Sequence, residues 1–449
     1  MTNEGYALRG ANKTVVYRAF ALGTGNRSDT LYAKESENCS FKEGRIERGA
    51  GLLALSGPYG AAKEISQSYV KRLAILPYRV GTKKYSEFTA FATLTGVYFY
   101  DYAEGVYKLV YEGEDAQGFE PCRNEEGEVS VVLIDATGAR AADKNGNLTD
   151  LVTGRSVDAV CFFGERTFLA SEPYTVFYSA TFAPTDFSTD EAEGGRIELV
   201  SEQGEIHSLV RLGEYLYAFR EREITRIAGK ASALEFVAKN IPVTGGRIFK
   251  GSVGACGDKI FFLAEEGLFS FDGRKAVRIL ENMRISPRRG EQVCVHAVSG
   301  GTYYLQYADE NNEWRSVVVE RGGEHGYYSF YKEALSSSGG KALCLYGQKI
   351  YELDERGSLP IEASAYFEAE TDFGLHGEKA LKGLTIKGSG KVAVTVKGER
   401  AQRRRIVEIS SGKVNLFVGM KGERYTLRFE PYKGAKITEI AATLYAFQK

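Results

Sequence analysis

The sequence predicts a nearly all-β protein, in which a β-propeller of about seven blades (range six to eight) is followed by a C-terminal antiparallel β-sandwich. Three observations predict this fold. Tyr (28) and Phe (25) are abundant while Pro (9) is scarce, and aromatic side chains suit the pleated, half-buried surface of a strand. Short apolar runs end at Gly, Asn and Asp, and no helical periodicity persists over several turns. The spacing of these turns matches one four-stranded blade.

The repeated unit is an apolar strand, a Gly-containing turn and a second apolar strand. Its clearest copy runs from Lys259 to Gly273, with predicted strands over Ile260 to Ala264 and Leu268 to Phe271. The successive turn glycines are 42, 26, 49, 44, 43 and 47 residues apart, mostly within the length of one blade. The 26-residue interval predicts a shortened blade around Asp135 to Val152, or a shift of register. The turn glycines are Gly96, Gly138, Gly164, Gly213, Gly257, Gly300 and Gly347.

Such sheets predict a closed ring, because one four-stranded sheet cannot bury both of its faces alone. We expect a strand from the first 80 residues, with 14–20 or 69–76 as candidates, to join the sheet of Leu343 to Leu353. After Gly357 the blade spacing gives way to short alternating strands, typical of a sandwich. The predicted domains are N-terminal strands or an arm over 1–60, part of which can close the propeller, the propeller over 61–357 and the sandwich over 358–449.

Composition narrows the function classes. The net charge of −1 gives no global indication of nucleic-acid binding or of an anionic membrane surface. The six cysteines stand far apart without a C-x-x-C pair, which predicts buried free thiols in a reducing compartment. The first twenty residues lack a basic segment followed by an apolar one, and no apolar run has the length of a membrane span. We therefore expect synthesis and folding in a cytoplasm.

The residues give no local catalytic or metal signature. The four histidines form no H-E-x-x-H or H-x-x-x-H pair, and no G-x-S-x-G segment occurs. We therefore predict a protein that is not an enzyme and assign no catalytic, metal-binding or cofactor-binding residue and no cofactor. Propeller glycosidases use carboxylates that project into the central channel, but the sequence cannot select a pair among 59 Asp and Glu. Glycoside hydrolysis therefore stays the alternative.

Two local motifs have competing interpretations. Asp143 to Asp150 alternates oxygen-bearing side chains, as in calcium loops, but Asn145-Gly146 also predicts a plain tight turn. The basic runs Arg403 to Arg405 and Arg284 to Arg289 are typical of solvated strand ends. They also suit an acidic neighbouring subunit or a nucleic-acid backbone. The neutral global charge favours the solvated interpretation.

Three segments carry a family resemblance. They are Asn38 to Leu52 (NCSFKEGRIERGAGL), Tyr174 to Thr189 (YTVFYSATFAPTDFST) and Val253 to Ile279 (VGACGDKIFFLAEEGLFSFDGRKAVRI). The chain resembles the β-propeller proteins of bacteriophage tails and necks, a group that includes tail-nozzle and head-closure stabilisation proteins. The resemblance covers residues 35–290 and rests on turns and strands.

The resemblance implies a structural virion protein of a phage or prophage, located in the virion tail. Several copies would associate into a ring round the tail axis and contact adaptor or portal proteins on one side and a fibre or needle on the other. The surface loops that bind those partners stay unassigned. Two other classes remain open, a glycan-binding or glycoside-cleaving propeller with an accessory sandwich, and a generic protein-interaction scaffold.

Overall fold

The structure is a computed structural model, and its described residues fall into two compact units. The first unit comprises 1–53, 316–330 and 354–449, and the second comprises 54–315 and 331–353. The chain passes from the first to the second after Leu53. The described residues are 10–22, 27–55, 70–80, 84–93, 96–101, 103–112, 118–143, 145–188, 194–199, 202–229, 236–281, 285–290, 294–320, 325–330, 334–338, 340–347, 349–361 and 363–447.

Seven short strands and a single turn of 3-10 helix, Lys42–Gly44, open the described chain. The described part contains no α-helix, and so no helix that could span a membrane. The strands are β1 Gly10–Tyr17, β2 Ala19–Leu22, β3 Thr30–Ala33, β4 Glu35–Glu37, β5 Cys39–Ser40, β6 Ile46–Arg48 and β7 Gly51–Ala54.

Seven four-stranded sheets follow within the described residues, and they are the blades of a β-propeller. Six consist of four strands consecutive in the chain, β8–β11, β12–β15, β16–β19, β20–β23, β24–β27 and β28–β31, and the seventh consists of β32, β33, β34 and β7. The strand bounds are β8 Val70–Val80, β9 Lys84–Thr93, β10 Gly96–Asp101, β11 Val106–Glu112, β12 Gly118–Arg123, β13 Val129–Asp135, β14 Gly138–Ala142, β15 Leu148–Thr153, β16 Val157–Phe163, β17 Arg166–Ser171, β18 Thr175–Tyr178, β19 Gly195–Glu198, β20 Ile206–Leu212, β21 Tyr215–Arg220, β22 Glu223–Ala228, β23 Val237–Pro242, β24 Gly254–Cys256, β25 Lys259–Ala264, β26 Gly267–Phe271, β27 Ala276–Arg278, β28 Cys294–Ser299, β29 Thr302–Ala308, β30 Trp314–Val319, β31 His325–Tyr328, β32 Ala334–Ser338, β33 Lys341–Tyr346 and β34 Lys349–Asp354.

The first strands of the seven sheets form a closed circle. β8 contacts β12, and the same contact repeats from β12 to β16, β20, β24, β28 and β32, until β32 contacts β8 again. The seventh sheet contains β7, from the N-terminal part of the chain. Neither candidate segment named from the sequence supplies that strand, because residues 14–17 belong to β1, which pairs with β40, and residues 70–76 belong to β8, which pairs with β9.

The turn glycines explain the irregular 26-residue interval. Gly164, Gly213, Gly257 and Gly300 lie between the first and second strands of their sheets, with φ between 55° and 64°, which favours glycine. Gly138 instead lies between a second and a third strand. The interval from Gly138 to Gly164 thus compares two different turns, and the predicted shortened blade is wrong. The sheet there has four strands from Gly118 to Thr153.

Aromatic and aliphatic side chains fill the space between neighbouring sheets. Between β21 and β25, Phe219 packs edge-on against Phe262, with ring centroids 5.5 Å apart, and both side chains are fully buried. Between β25 and β29, Phe261 and Tyr303 stack at 5.3 Å. This packing is the physical reason for the ring, because each sheet covers a face of the next.

The C-terminal strands form a β-sandwich whose ten hydrogen-bonded strands include β1, β4, β5 and β6. One half contains β1, β5, β6, β38 and β40, the other contains β4, β35, β37 and β39, and β36 belongs to both. The strands are β35 Tyr366–Thr371, β36 Lys379–Lys397, β37 Gln402–Ile409, β38 Lys413–Gly422, β39 Tyr425–Pro431 and β40 Lys436–Phe447.

A corner at Gly388 and Gly390 lets β36 pass from one half to the other. Residues 379–387 of β36 pair with β38, and residues 390–397 pair with β37. Gly390 has φ +81°, and a Cβ there would lie 2.8 Å from the Cα of Ala435. Bends of this kind make the corners at which strands switch sheets.

The sandwich core lies between the halves and includes Val392, Val394 and Val396. The sequence predicts that these valines face inward while Ala393 and Thr395 face outward. The valines are buried as predicted, but Ala393 and Thr395 are buried too. The reason is that β36 is a central strand, flanked by β37 and β39, so that cross-strand neighbours cover its outer face as well.

Candidate functional site

The first strands of the propeller hold the ionisable groups that surround the ring axis. Glu120 lies in β12, Asp158 in β16, His207 in β20 and His296 in β28. Each interrupts a mainly apolar strand, which is the kind of position at which a channel carboxylate or histidine would act. Their partners therefore decide whether the propeller axis is a reaction site.

Glu120 joins two neighbouring sheets. Its Oε1 accepts a hydrogen bond of 3.0 Å from the backbone N–H of Phe162 in β16. Loss of hydration at the carboxyl raises the pKa of Glu120 to about 7. The hydrogen bond from Phe162 and the positive charge of Arg211 both lower this pKa, but their effect is smaller. The same burial, together with the charge of Glu120, raises the pKa of the Cys161 thiol. Glu120 is thus a half-buried acid whose pKa is raised by loss of hydration.

Asp158, Lys250 and His207 form a second polar group. The Lys250 Nζ lies 2.9 Å from Asp158 Oδ1, although 92 residues separate the two in the chain. The His207 Nδ1 is 3.2 Å from the hydroxyl of Ser208. Burial and, after it, the positive charge of Lys250 lower the pKa of His207 to about 4. His207 is therefore neutral at physiological pH.

His296 fastens the sixth sheet to the fifth. Its Nδ1 donates a hydrogen bond of 2.8 Å to the carbonyl of Gly251, which precedes β24. Its ring stacks on Tyr303 at 5.9 Å, and the Tyr303 hydroxyl donates to the carbonyl of Ser252. A Cβ at Gly254 would lie 2.6 Å from the imidazole. His296 is thus a structural clamp between sheets.

The other motifs singled out from the sequence have structural partners. In the loop after β14, both carboxylate oxygens of Asp143 accept hydrogen bonds from Asn145 and Asn147, each 2.8 Å long, which supports a turn over a calcium loop. All six cysteines are buried free thiols, as predicted. Within the described residues no three His, Cys, Asp or Glu side chains come together as a metal site. Arg284 lies outside the described residues, and Arg288 and Arg289 are exposed.

The middle residue of the run Arg403 to Arg405 belongs to a chain of ion pairs across the outer face of the sandwich. Arg404 Nη2 lies 2.6 Å from Glu430 in β39, and Glu430 also pairs with Arg428 at 3.1 Å. Arg428 reaches Glu368 in β35 at 3.3 Å and covers the ring of Tyr366 at 3.7 Å. These charges neutralise one another, so Arg404 is a structural residue of the sheet.

Arg403 and Arg405 lie on the opposite face of β37, because side chains alternate along a strand. They stand beside the buried Val396 and Val394, yet both are exposed, and neither forms an ion pair within the described residues. Of the described strands, only β36 pairs with β37. Charges that point inward on an edge strand protect it from unwanted strand pairing. Arg404 is thus ion-paired, whereas Arg403 and Arg405 are exposed and form no ion pair within the described residues.

Sequence reasoning missed Glu120, Asp158 and Lys250. The signal for the two acids was present, since each is a single carboxyl inside an apolar strand (GFEPCR and VDAVCFF). A lone acid of this kind indicates a buried partner, but the sequence cannot name it. Lys250 comes from a loop that precedes a different sheet, and only the ring brings it to Asp158.

Together, the seven sheets and the folded ten-stranded sheet define the protein as a β-propeller protein with a β-sandwich. No protein-family model matches the chain, and no curated protein sequence matches it. Three solved structures are among those to which the chain is similar. A catalytically inactive virginiamycin B lyase from Staphylococcus aureus is 12% identical, with a TM-score of 0.43 over 62% of this chain and 95% of that one. PorZ, a surface component of the type-IX secretion system of Porphyromonas gingivalis, is 14% identical, with a TM-score of 0.40 over 79% of this chain and 46% of that one. A chain of the mitotic checkpoint complex is 9% identical, with a TM-score of 0.43 over 71% of this chain and 92% of that one.

Proposed function

We propose that this protein is a structural assembly component that acts through its surfaces. Its place would be the tail or neck of a phage or prophage virion, where copies associate round the tail axis and bind adaptor, portal, fibre or needle proteins. In this role the propeller and the sandwich are rigid bodies, and turns and strand edges bind the partners.

One observation carries the proposal, namely that three ionisable groups of the inner strands bind other parts of the same ring. Glu120 accepts from Phe162, Asp158 pairs with Lys250, and His296 donates to Gly251. Each bond joins two different sheets or the loops before them. Groups engaged in this way stabilise the ring, whereas catalysis requires groups directed at a substrate. The inner strands thus support a mechanical role.

The surface offers what an assembly component needs. Each turn between a first and a second strand connects two hydrogen-bonded strands of one hairpin. Among the described strands, β37 and β38 each pair only with β36, so each has one edge without a strand partner. Binding groups on a rigid scaffold lose little entropy when they dock, which favours repeated contacts between copies.

The test is the state of association of the purified full chain. Sedimentation velocity over a range of protein concentrations, with negative-stain images of the same samples, should give closed rings or stacks. A protein that stays monomeric at every concentration would contradict the proposal.

A glycoside-cleaving propeller is the second candidate, and Glu120 is the observation that favours it. A carboxyl with a pKa of about 7 has the protonation behaviour of a general acid. Chromogenic glycosides of several sugars, assayed with the wild type and with Glu120→Gln, distinguish the two functions. Hydrolysis that is lost in Glu120→Gln would support the enzyme and contradict the structural role.

A further inference from the structure

The two units have opposite charges, although the whole chain is almost neutral. The first unit contains 26 Lys and Arg against 20 Asp and Glu, a formal charge of +6. The second unit contains 32 against 39, a formal charge of −7, and together they give the −1 of the chain. Two surfaces of opposite sign on one molecule are complementary between copies, and such fields guide association.

The positive charge of the first unit is concentrated along one edge of the sandwich. β37 and β38 together contain five basic residues and one acid, Glu408. They also hold two large exposed apolar side chains, Ile406 at 51% and Phe417 at 70% of full exposure. The Arg403 guanidinium lies 6.0 Å from the centre of the Phe417 ring and so joins the two strands. Ile406 lies on the face of Arg404, so we call Arg403, Arg405, Lys413 and Phe417 the basic edge.

An aromatic ring exposed to this degree next to unpaired arginines is unusual for a surface that stays in water. Edge protection explains Arg403 and Arg405, but it does not explain Phe417, which adds apolar surface instead of charge. Aromatic residues and arginines are the residue types that contribute most to protein interfaces. The basic edge therefore has the composition of a docking surface for an acidic protein partner.

The second unit presents an acidic surface in a regular pattern. Three consecutive sheets carry an acid directly after the turn glycine between their first and second strands, namely Glu165, Glu214 and Asp258. In the preceding sheet the same turn carries Glu125 and Glu126. All five are exposed, and none forms an ion pair within the described residues. Corresponding turns of a propeller lie at the same end of the ring, so we call these five residues the acidic turns.

We propose that the basic edge of one copy docks on the acidic turns of a second copy. The inference rests on the proposed assembly role and names the contact between copies. The contact is head-to-tail, because it joins two different surfaces and leaves a pair of copies with a free basic edge on one copy and a free set of acidic turns on the other. Repetition of a contact of this type closes a ring or continues as a stack. Phe417 supplies apolar area, and the arginines fix the orientation.

The experiment uses three variants of the full chain in sedimentation velocity at about 50 mM salt, where surface charges are weakly screened. Arg403→Glu with Arg405→Glu reverses the basic edge. Glu165→Lys, Glu214→Lys and Asp258→Lys together reverse the acidic turns. Lys13→Glu with Arg27→Glu is the matched control, because it changes the charge of the first unit as much as the basic-edge variant does, at exposed positions outside the edge.

We expect wild type and control to associate, and each reversed variant alone to sediment as a monomer. Mixed together, the two reversed variants should carry two attractive pairs, the intact basic edge with the intact acidic turns and the reversed edge with the reversed turns, whereas each variant repels its own copies. Mixing them should therefore restore association, with the two variants alternating. Phe417→Ala, which removes an exposed ring and leaves the fold intact, should weaken association by about tenfold. Added salt should weaken the wild-type association as well.

The outcomes separate the two proposals. Wild type that never associates contradicts the assembly role itself. Association that persists unchanged in both reversed variants and in Phe417→Ala contradicts the basic edge alone. A basic-edge variant that loses binding to nucleic acid but still associates with itself would assign the edge to a nucleic-acid backbone. That result would overturn the docking of a second copy.

Discussion

Glu120 should make the stability of the propeller depend on pH in the direction opposite to that of most carboxylates. The ordinary pKa of a glutamate, 4.5, applies to the unfolded chain, and the folded value is about 7. The Glu120 carboxyl therefore binds its proton more tightly in the folded protein than in the unfolded chain. Stability from this group is complete below pH 4.5, falls as the pH rises towards 7, and is constant above that. At about 1.36 kcal/mol for each tenfold change in proton affinity, the loss by pH 8 is about 3 kcal/mol.

The variant Glu120→Gln removes this dependence. The amide oxygen still accepts from the Phe162 N–H, and the side chain carries no charge at any pH. We expect the variant to match the wild type near pH 4.5 and to exceed it by as much as about 3 kcal/mol at pH 8. Urea denaturation followed by tyrosine fluorescence from pH 4.5 to 8 measures this. Glu125→Gln, an exposed residue in the next turn of the same sheet, is the control and should leave the curve unchanged. Identical pH profiles for wild type and Glu120→Gln would contradict a raised pKa of Glu120.

Three further predictions concern other parts of the molecule. Lys250→Met should raise the pKa of His207 above about 4 but keep it below 6.5, because burial is the larger cause, and an NMR titration of the imidazole measures this. An unchanged pKa would show that the Lys250 charge does not reach His207. Gly390→Ala should destabilise the sandwich by about 2–3 kcal/mol in thermal unfolding, and Gly412→Ala by only about 1, because both have positive φ but only Gly390 abuts a neighbouring backbone. Equal losses would contradict the close approach at the corner. The six buried thiols should react with a thiol reagent only after unfolding, and rapid reaction in the native state would contradict their burial.

The sequence predicted the fold class because turn chemistry and strand composition are local properties. The hairpin of Lys259–Ala264 and Gly267–Phe271 lies where its Glu-Glu-Gly turn indicated, and the C-terminal strands agree with the alternating pattern. The strand that joins the last sheet was assigned wrongly, because Gly51–Ala54 is only four residues long. A strand this short has no pattern of its own, and its neighbours in the sheet identify it.

The candidate site was less predictable, because its bonds join residues that are distant in the chain. Asp158 meets Lys250 only when the ring closes, and Glu120 meets Phe162 only when two sheets pack. The arginine run could be recognised as a basic segment, but its division into a paired Arg404 and two unpaired neighbours depends on which residues of β37 share a face with Glu430 of β39, across β36. A local sequence pattern does not identify partners that are distant in the chain.

Electron cryomicroscopy of the purified full chain at low salt would image the proposed contact between copies. We expect particles in which several seven-bladed propellers repeat round an axis or along a stack, each with its sandwich strands β37 and β38 against the turns of a neighbouring copy. Isolated single copies at every concentration, with a ligand density on the propeller axis beside Glu120, would contradict it.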